Sequence, residues 1–194
     1  MGLDYSYCVF VPGGNVARAL TELAALAPGD QGSTEVVVPG GKRLTLPFTS
    51  GFKTDPIDCS ASARLSLDTA ILIDVDDDET RRYFSVPTRD EHGRATLGYL
   101  YLTVTFVSQM HPQYAELEFT AATTDMSMLM ENSASVQSAF TAFTIASGGV
   151  CCWLDREWTS LEVRWLNGET RRDTVPGPRY ATGLDVAAEW PALG

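Results

Sequence analysis

The chain has 194 residues, 44% hydrophobic and 20% charged, with 14 Lys and Arg against 25 Asp and Glu, a net charge of −11 and a pI near 4.5. This composition supports a buried core and argues against disorder. The acidic balance argues against nucleic-acid binding, which needs dense Lys and Arg, and no stretch reaches the ~20 apolar residues of a membrane span.

Tyr5 to Val11 reads as a strand, punctuated by Pro12-Gly13-Gly14-Asn15. Asn15 is placed to cap a helix, whose apolar positions Val16, Ala19, Leu20, Leu23 and Leu26 keep helical spacing until Pro28-Gly29. Val36-Val37-Val38 and Arg43 to Phe48 flank Pro39-Gly40-Gly41-Lys42, a hairpin signal because Gly supplies the positive φ of tight turns. Thr49 to Ser62 reads as a loop, and Arg64 to Val75 as a strand ended by the acids that follow. Arg81 to Val86 fits a short strand or a helical turn, and Thr88 to Arg94 a polar connection. Ala95 to Val107, rich in β-branched and aromatic residues, is the strongest strand, with Tyr114 to Ala121 its antiparallel neighbour.

Met126, Leu129 and Met130 predict a short helix, separated by Asn132-Ser133 from a main helix over Ser133 to Ala146. Gly148-Gly149 ends it. Val150 to Leu154 and Leu161 to Leu166 are further strands. The tail from about Asn167 is Pro/Gly-rich, with one short helix expected after Thr182. The order predicts an α+β fold in one domain over 1–194: a mostly antiparallel sheet with two main helices. Two βα units of similar form suggest an internal pseudo-repeat.

The four cysteines, Cys8, Cys59, Cys151 and Cys152, include no C-x-x-C. Cys151 and Cys152 are neighbours in an apolar strand, so their thiols should diverge to opposite faces. They read as reduced core thiols in a cytoplasmic protein, and the N-terminus lacks the basic region of a secretory signal. The acid run Asp74-Val75-Asp76-Asp77-Asp78-Glu79 departs from a calcium loop at Glu79, where Gly is needed, and at Ser85, where Glu is needed. It reads as a solvated turn or as a helix N-terminus stabilised by acids, and no metal or cofactor is expected. His92 and His111, the only candidates for a histidine base, lie in loops. Asp155 and Glu157 share one face of an extended segment, the spacing of an acid/base pair, but read as a strand end turning into water, with Arg156 on the opposite side.

The remaining candidate site is the corner after Tyr114 to Ala121. Thr123, Thr124, Asp125 and Ser127 gather hydroxyls and a carboxylate where a strand becomes a helix, which suits either a capped corner or a ligand site. The Phe48 to Lys53 loop is a candidate neighbour of it.

The segments MGLDYSY, LPFTSGFKTDP, GYLYLTV, EFTAATTDMS and SGGVCC together resemble a group of uncharacterised actinobacterial proteins with no assigned activity. The resemblance implies a bacterial cytosolic setting. The expected function is a non-enzymatic interaction protein, immunity- or antitoxin-like, facing a basic protein partner. The alternative is a small-molecule-binding protein or enzyme using the 123–127 corner.

Overall fold

The structure, a computed structural model, describes residues 2–29, 32–50, 55–85, 89–157 and 159–193. In chain order the elements are β1 (Ser6–Pro12), α1 (Val16–Ala25, entered through a 3-10 turn at Gly13–Asn15), β2 (Thr34–Val37), β3 (Arg43–Leu46), β4 (Ile57–Asp58) and β5 (Arg64–Ile73). Then come α2 (Asp78–Tyr83), β6 (Ala95–Thr105), β7 (Tyr114–Ala121), α3 (Thr124–Asn132) and α4 (Ala134–Ala146). The chain closes with β8 (Cys151–Asp155), β9 (Ser160–Leu166), β10 (Glu169–Pro176) and α5 (Arg179–Ala187). The fold is α+β, as the sequence predicts.

Seven strands form one sheet in the order β10-β9-β8-β1-β7-β6-β5, every neighbouring pair antiparallel. Two three-strand meanders, β5–β6–β7 and β8–β9–β10, therefore flank β1. Because β7 and β8 both run opposite to β1, they are parallel to each other, and α3 and α4 carry the chain across from one to the other. The βα units at β1 and β7 lie side by side, but α1 leads into a separate small sheet, β3-β2-β4, whereas α3 and α4 lead to β8.

Strand β1 is buried on both faces, from Ser6 to Val11, which explains the nearly unbroken apolar run SYCVFV. One face carries Tyr7, Val9 and Val11 under α1, α3, α4 and the small sheet. There the Tyr7 ring stacks on Phe140 with centroids 4.1 Å apart, and Phe119 meets Phe140 edge-on at 5.2 Å. The other face carries Cys8 and Phe10, with Phe10 against Trp153 at 4.4 Å and Trp190 at 4.7 Å. Cys151 points into this second cluster and Cys152 into the first, so the paired thiols do diverge. All four cysteines are free and buried. Burial pushes the Cys152 thiol up to about 12 and Cys8 well above its ordinary value.

Several local expectations are corrected. Asn15 makes no side-chain cap; its amide donates instead to the Ser147 carbonyl at 3.4 Å, tying α1's start to α4's end. Of the 81–86 region, residues 81–83 close α2, which is the helical alternative rather than the strand, while 86–88 lie outside the described residues, as does 51–54 of the predicted loop. The tail holds a full strand and a helix that starts three residues before Thr182. The missed signal is Asn167-Gly168, with φ of 51° and 93°, the pair of positive values a two-residue hairpin turn needs. Strand β10 also lacks apolar alternation because it is a sheet edge, mostly exposed.

The acid run is a double cap. Asp77 accepts from the Thr80 N–H at 2.7 Å at the start of α2, and its other oxygen accepts from the Ser133 hydroxyl and the Ser135 N–H, both at 2.8 Å, at the start of α4. Asp78 and Glu79 form the first turn of α2, with Arg81 and Arg82 three residues on. Burial raises the Asp77 pKa, but hydrogen bonds from Ser135, Thr80 and Ser133 outweigh it and hold the carboxyl well below its usual range. A depressed carboxylate contributes stability above its unfolded pKa and loses it as pH falls through the folded one. Asp77→Ala should therefore cost about 1–4 kcal/mol at pH 7, two caps at roughly 0.5–2 each. Urea melts repeated between pH 7 and pH 2.5 should show the gap between wild type and variant closing only below about pH 4; a gap unchanged by acid would contradict the double cap.

Candidate functional site

Strand β7 alternates with a period of two. Leu117 and Phe119 enter the core under the helices, while Glu116, Glu118 and Thr120 face the other side of the sheet. The register sets Glu116 beside Phe10 and Thr105, Glu118 beside Cys8 and Thr103, and Thr120 beside Ser6. The Ser6 and Thr120 hydroxyls are 2.9 Å apart. Across β1, Ser6 stands opposite Asp155, the last residue of β8. Three carboxylates from two strands thus converge on one patch of sheet.

Helix α5 covers part of this face, and its first residue, Arg179, completes the patch. Its guanidinium forms charge-assisted hydrogen bonds with Glu116 and Glu118 and lies 3.5 Å from the Asp155 carboxylate. Ser108 adds a 3.4 Å hydrogen bond to Glu116. Glu116 is 7% exposed and Asp155 9%, and burial raises both carboxyl pKa values against the opposing pull of Arg179. One cation facing three acids leaves the patch with surplus negative charge. Beside it opens a hollow of about 560 Å³, whose wall sets the acids Asp4, Glu116, Glu118, Asp155 and Glu157 against the cations Arg64 and Arg179. A hollow of this size, with a few convergent polar groups, has the dimensions of a ligand site.

This corrects the reading of Asp155 as a strand end turning into water: α5 closes over it. Glu157 lines the same hollow from a backbone with φ of 46°, and Arg156 points to the opposite face, bonded to Glu131 and Glu162. The period of β7 made Glu116 and Glu118 visible in the sequence as one strand face. Arg179, about 60 residues away, carried no local signal.

The 123–127 corner is a capped corner. The Thr123 hydroxyl accepts from the Met126 N–H at 3.2 Å, so Thr123 is the cap and Asp125 lies in the first turn. The Thr124 hydroxyl accepts from the Leu3 N–H, and Ser127 donates to the Leu3 carbonyl at 2.7 Å while accepting from the Tyr5 N–H, so the corner clasps the N-terminal segment. Thr123 and Asp125 also border an open hollow of about 930 Å³ with Glu79, Arg82 and Tyr83; Thr124 and Ser127 are not part of its wall. The 51–53 part of the neighbouring loop candidate lies outside the described residues.

His92 is exposed beside Glu91, and His111 accepts from the Gln113 N–H and packs on Tyr114; neither lines the acidic hollow. Among the described residues no group of three or more His, Cys, Asp or Glu is arranged to hold a metal ion, and no helix is long and apolar enough to cross a membrane. Comparison with protein-family models, with curated proteins and with solved structures returned no match.

Removing Arg179 strands buried charge. Arg179→Gln should cost about 3 kcal/mol at pH 7, the lower end for breaking a buried ion pair, because the Arg179 side chain keeps 28% of its exposure. Carboxylates with raised folded pKa values stabilise below the unfolded pKa and lose that contribution as pH rises. Thermal melts should therefore show the variant recovering part of its loss at pH 5. A deficit that grows on acidification would contradict the arrangement.

Proposed function

We propose that the chain is a non-enzymatic binding protein that receives a basic group of a partner protein in the acidic hollow of its sheet. The observation that carries this reading is the excess of Glu116, Glu118 and Asp155 over Arg179 at a cavity open to solvent. A guanidinium or ammonium entering there meets preplaced acceptors, with Glu118 and Glu157 partly exposed in its wall, in a setting where water screens less than at an exposed surface. The net charge of −11 steers a basic partner towards the molecule and speeds encounter. Four free, buried thiols support the cytoplasmic setting that belongs to the same proposal; its bacterial part rests on the resemblance alone. An immunity- or antitoxin-like role is one concrete form of it.

A second reading keeps the 123–127 corner as a small-molecule site, because Thr123 and Asp125 border the larger hollow. One experiment separates the two. A short glycine-rich peptide with a single arginine is titrated calorimetrically at low salt, beside the same peptide with glutamate. The proposal expects saturable binding of the arginine peptide alone, weakened at least tenfold in Glu118→Gln and unchanged in Asp125→Ala. Loss in Asp125→Ala alone would move the site to the corner. Equal binding of both peptides, or none, would overturn the acidic-hollow reading.

A further inference from the structure

The same molecule carries a site of opposite sign. Between β9 and β10, Thr170 pairs with Trp165 and Asp173 with Val163, so Arg171 and Arg172 together stand opposite the single residue Arg164. Such a bulge sets two residues against one and re-aims their side chains. All three arginines line one hollow of about 350 Å³, whose far wall is the Gln137, Ser138 and Thr141 side of α4.

Their bonding is incomplete. Among the described residues the buried Nε atoms of Arg164 and Arg171 have no hydrogen-bond partner. Arg164 is engaged at its other end by Glu162, which it shares with Arg156. Among the described residues Arg171 has only loose partners, Glu169 at 3.3 Å and Asp173 at 3.9 Å, both well exposed. Among the described residues Arg172 has no ion pair. Buried N–H groups without acceptors are costly, and the charges of Arg171 and Arg172, which no close carboxylate neutralises among the described residues, favour an anion in the cavity they share with Arg164. In a chain of net charge −11, long-range steering does not favour such an anion, so recognition has to come from this local geometry.

We propose that this hollow binds a phosphate group, free or on a small molecule. Guanidinium forks match phosphate oxygens bidentately, and three of them offer more donors than the two oxygens of a carboxylate can accept. A cavity near 350 Å³ sits at the small end of ligand sites, about 300–1,000 Å³, with room beyond the phosphate for a short organic portion. The proposal is independent of the acidic hollow, which opens on the other face of the sheet.

The test uses the full chain at low, matched ionic strength. Glycerol 3-phosphate, inorganic phosphate and acetate are titrated by calorimetry into wild type and into Arg171→Gln/Arg172→Gln, whose replaced side chains lie on an edge strand. The expected result is saturable binding of both phosphates, at least tenfold tighter than acetate, and at least tenfold weaker in the variant. Tighter binding of glycerol 3-phosphate than of inorganic phosphate assigns a phosphorylated small molecule; equal or weaker binding assigns free phosphate. Three results would each overturn the proposal: no saturable phosphate binding, acetate bound as well as phosphate, or equal phosphate affinity in wild type and variant. The last would reduce these arginines to guards of an exposed sheet edge.

Discussion

Strand β1 is held between β7 and β8 and covered on both faces, and the rest of the molecule is arranged around that constraint. A strand with two buried faces needs two separate coverings. The first is the layer of α1, α3 and α4 with the small sheet; the second is α5 with Trp190. Because α5 reaches only part of the second face, sheet residues next to its N-terminus are neither packed under apolar groups nor fully bathed in water. Glu116, Glu118 and Asp155 stand at that margin. Arg179 sits where the covering helix begins, so the residue that makes the acids tolerable belongs to the element that partly buries them.

The two functional proposals both rest on charge that the fold concentrates. On one face, carboxylates from β7 and β8 outnumber the single guanidinium of α5. Near the opposite edge, a bulge brings Arg171 and Arg172 against Arg164. Between them runs a balanced chain, Glu131–Arg156–Glu162–Arg164, which fixes α3 to β9. Net charge therefore describes this surface poorly. The sum of −11 conceals one strongly acidic and one basic recess, and exposed pairs such as Arg43–Glu35 add little to either stability or recognition.

Local periodicity made most of the fold legible. Ala95–Thr105 and Tyr114–Ala121 alternate, Val16–Ala25 and Ala134–Ala146 have apolar stripes, and Gly40-Gly41 marks a hairpin. What escaped was whatever depends on distant partners. Strand β10 shows no alternation because nothing covers it, and Asn167-Gly168 went unread inside a Pro/Gly-rich tail. The acid run was legible as a turn or a helix N-terminus, but not as a second cap on α4, since Asp77 and Ser133 are 56 residues apart. In the candidate site, Glu116 and Glu118 showed their shared face and Asp155 its pairing with Glu157. Nothing in the sequence placed Arg179 over them, and the residues singled out at 123–127 spend their hydroxyls mainly on a helix cap and on Leu3 and Tyr5.

The central claim is that partly buried carboxylates on the open sheet face hold surplus negative charge around Arg179. Carbon-13 NMR titration of the side-chain carboxyls tests it most directly. Glu116 and Asp155 should titrate above the ordinary carboxylate range, and both should move down when the arginine-bearing peptide is added, because a second cation favours their charged forms. Titration at or below ordinary values, with no response to the peptide, would contradict the account.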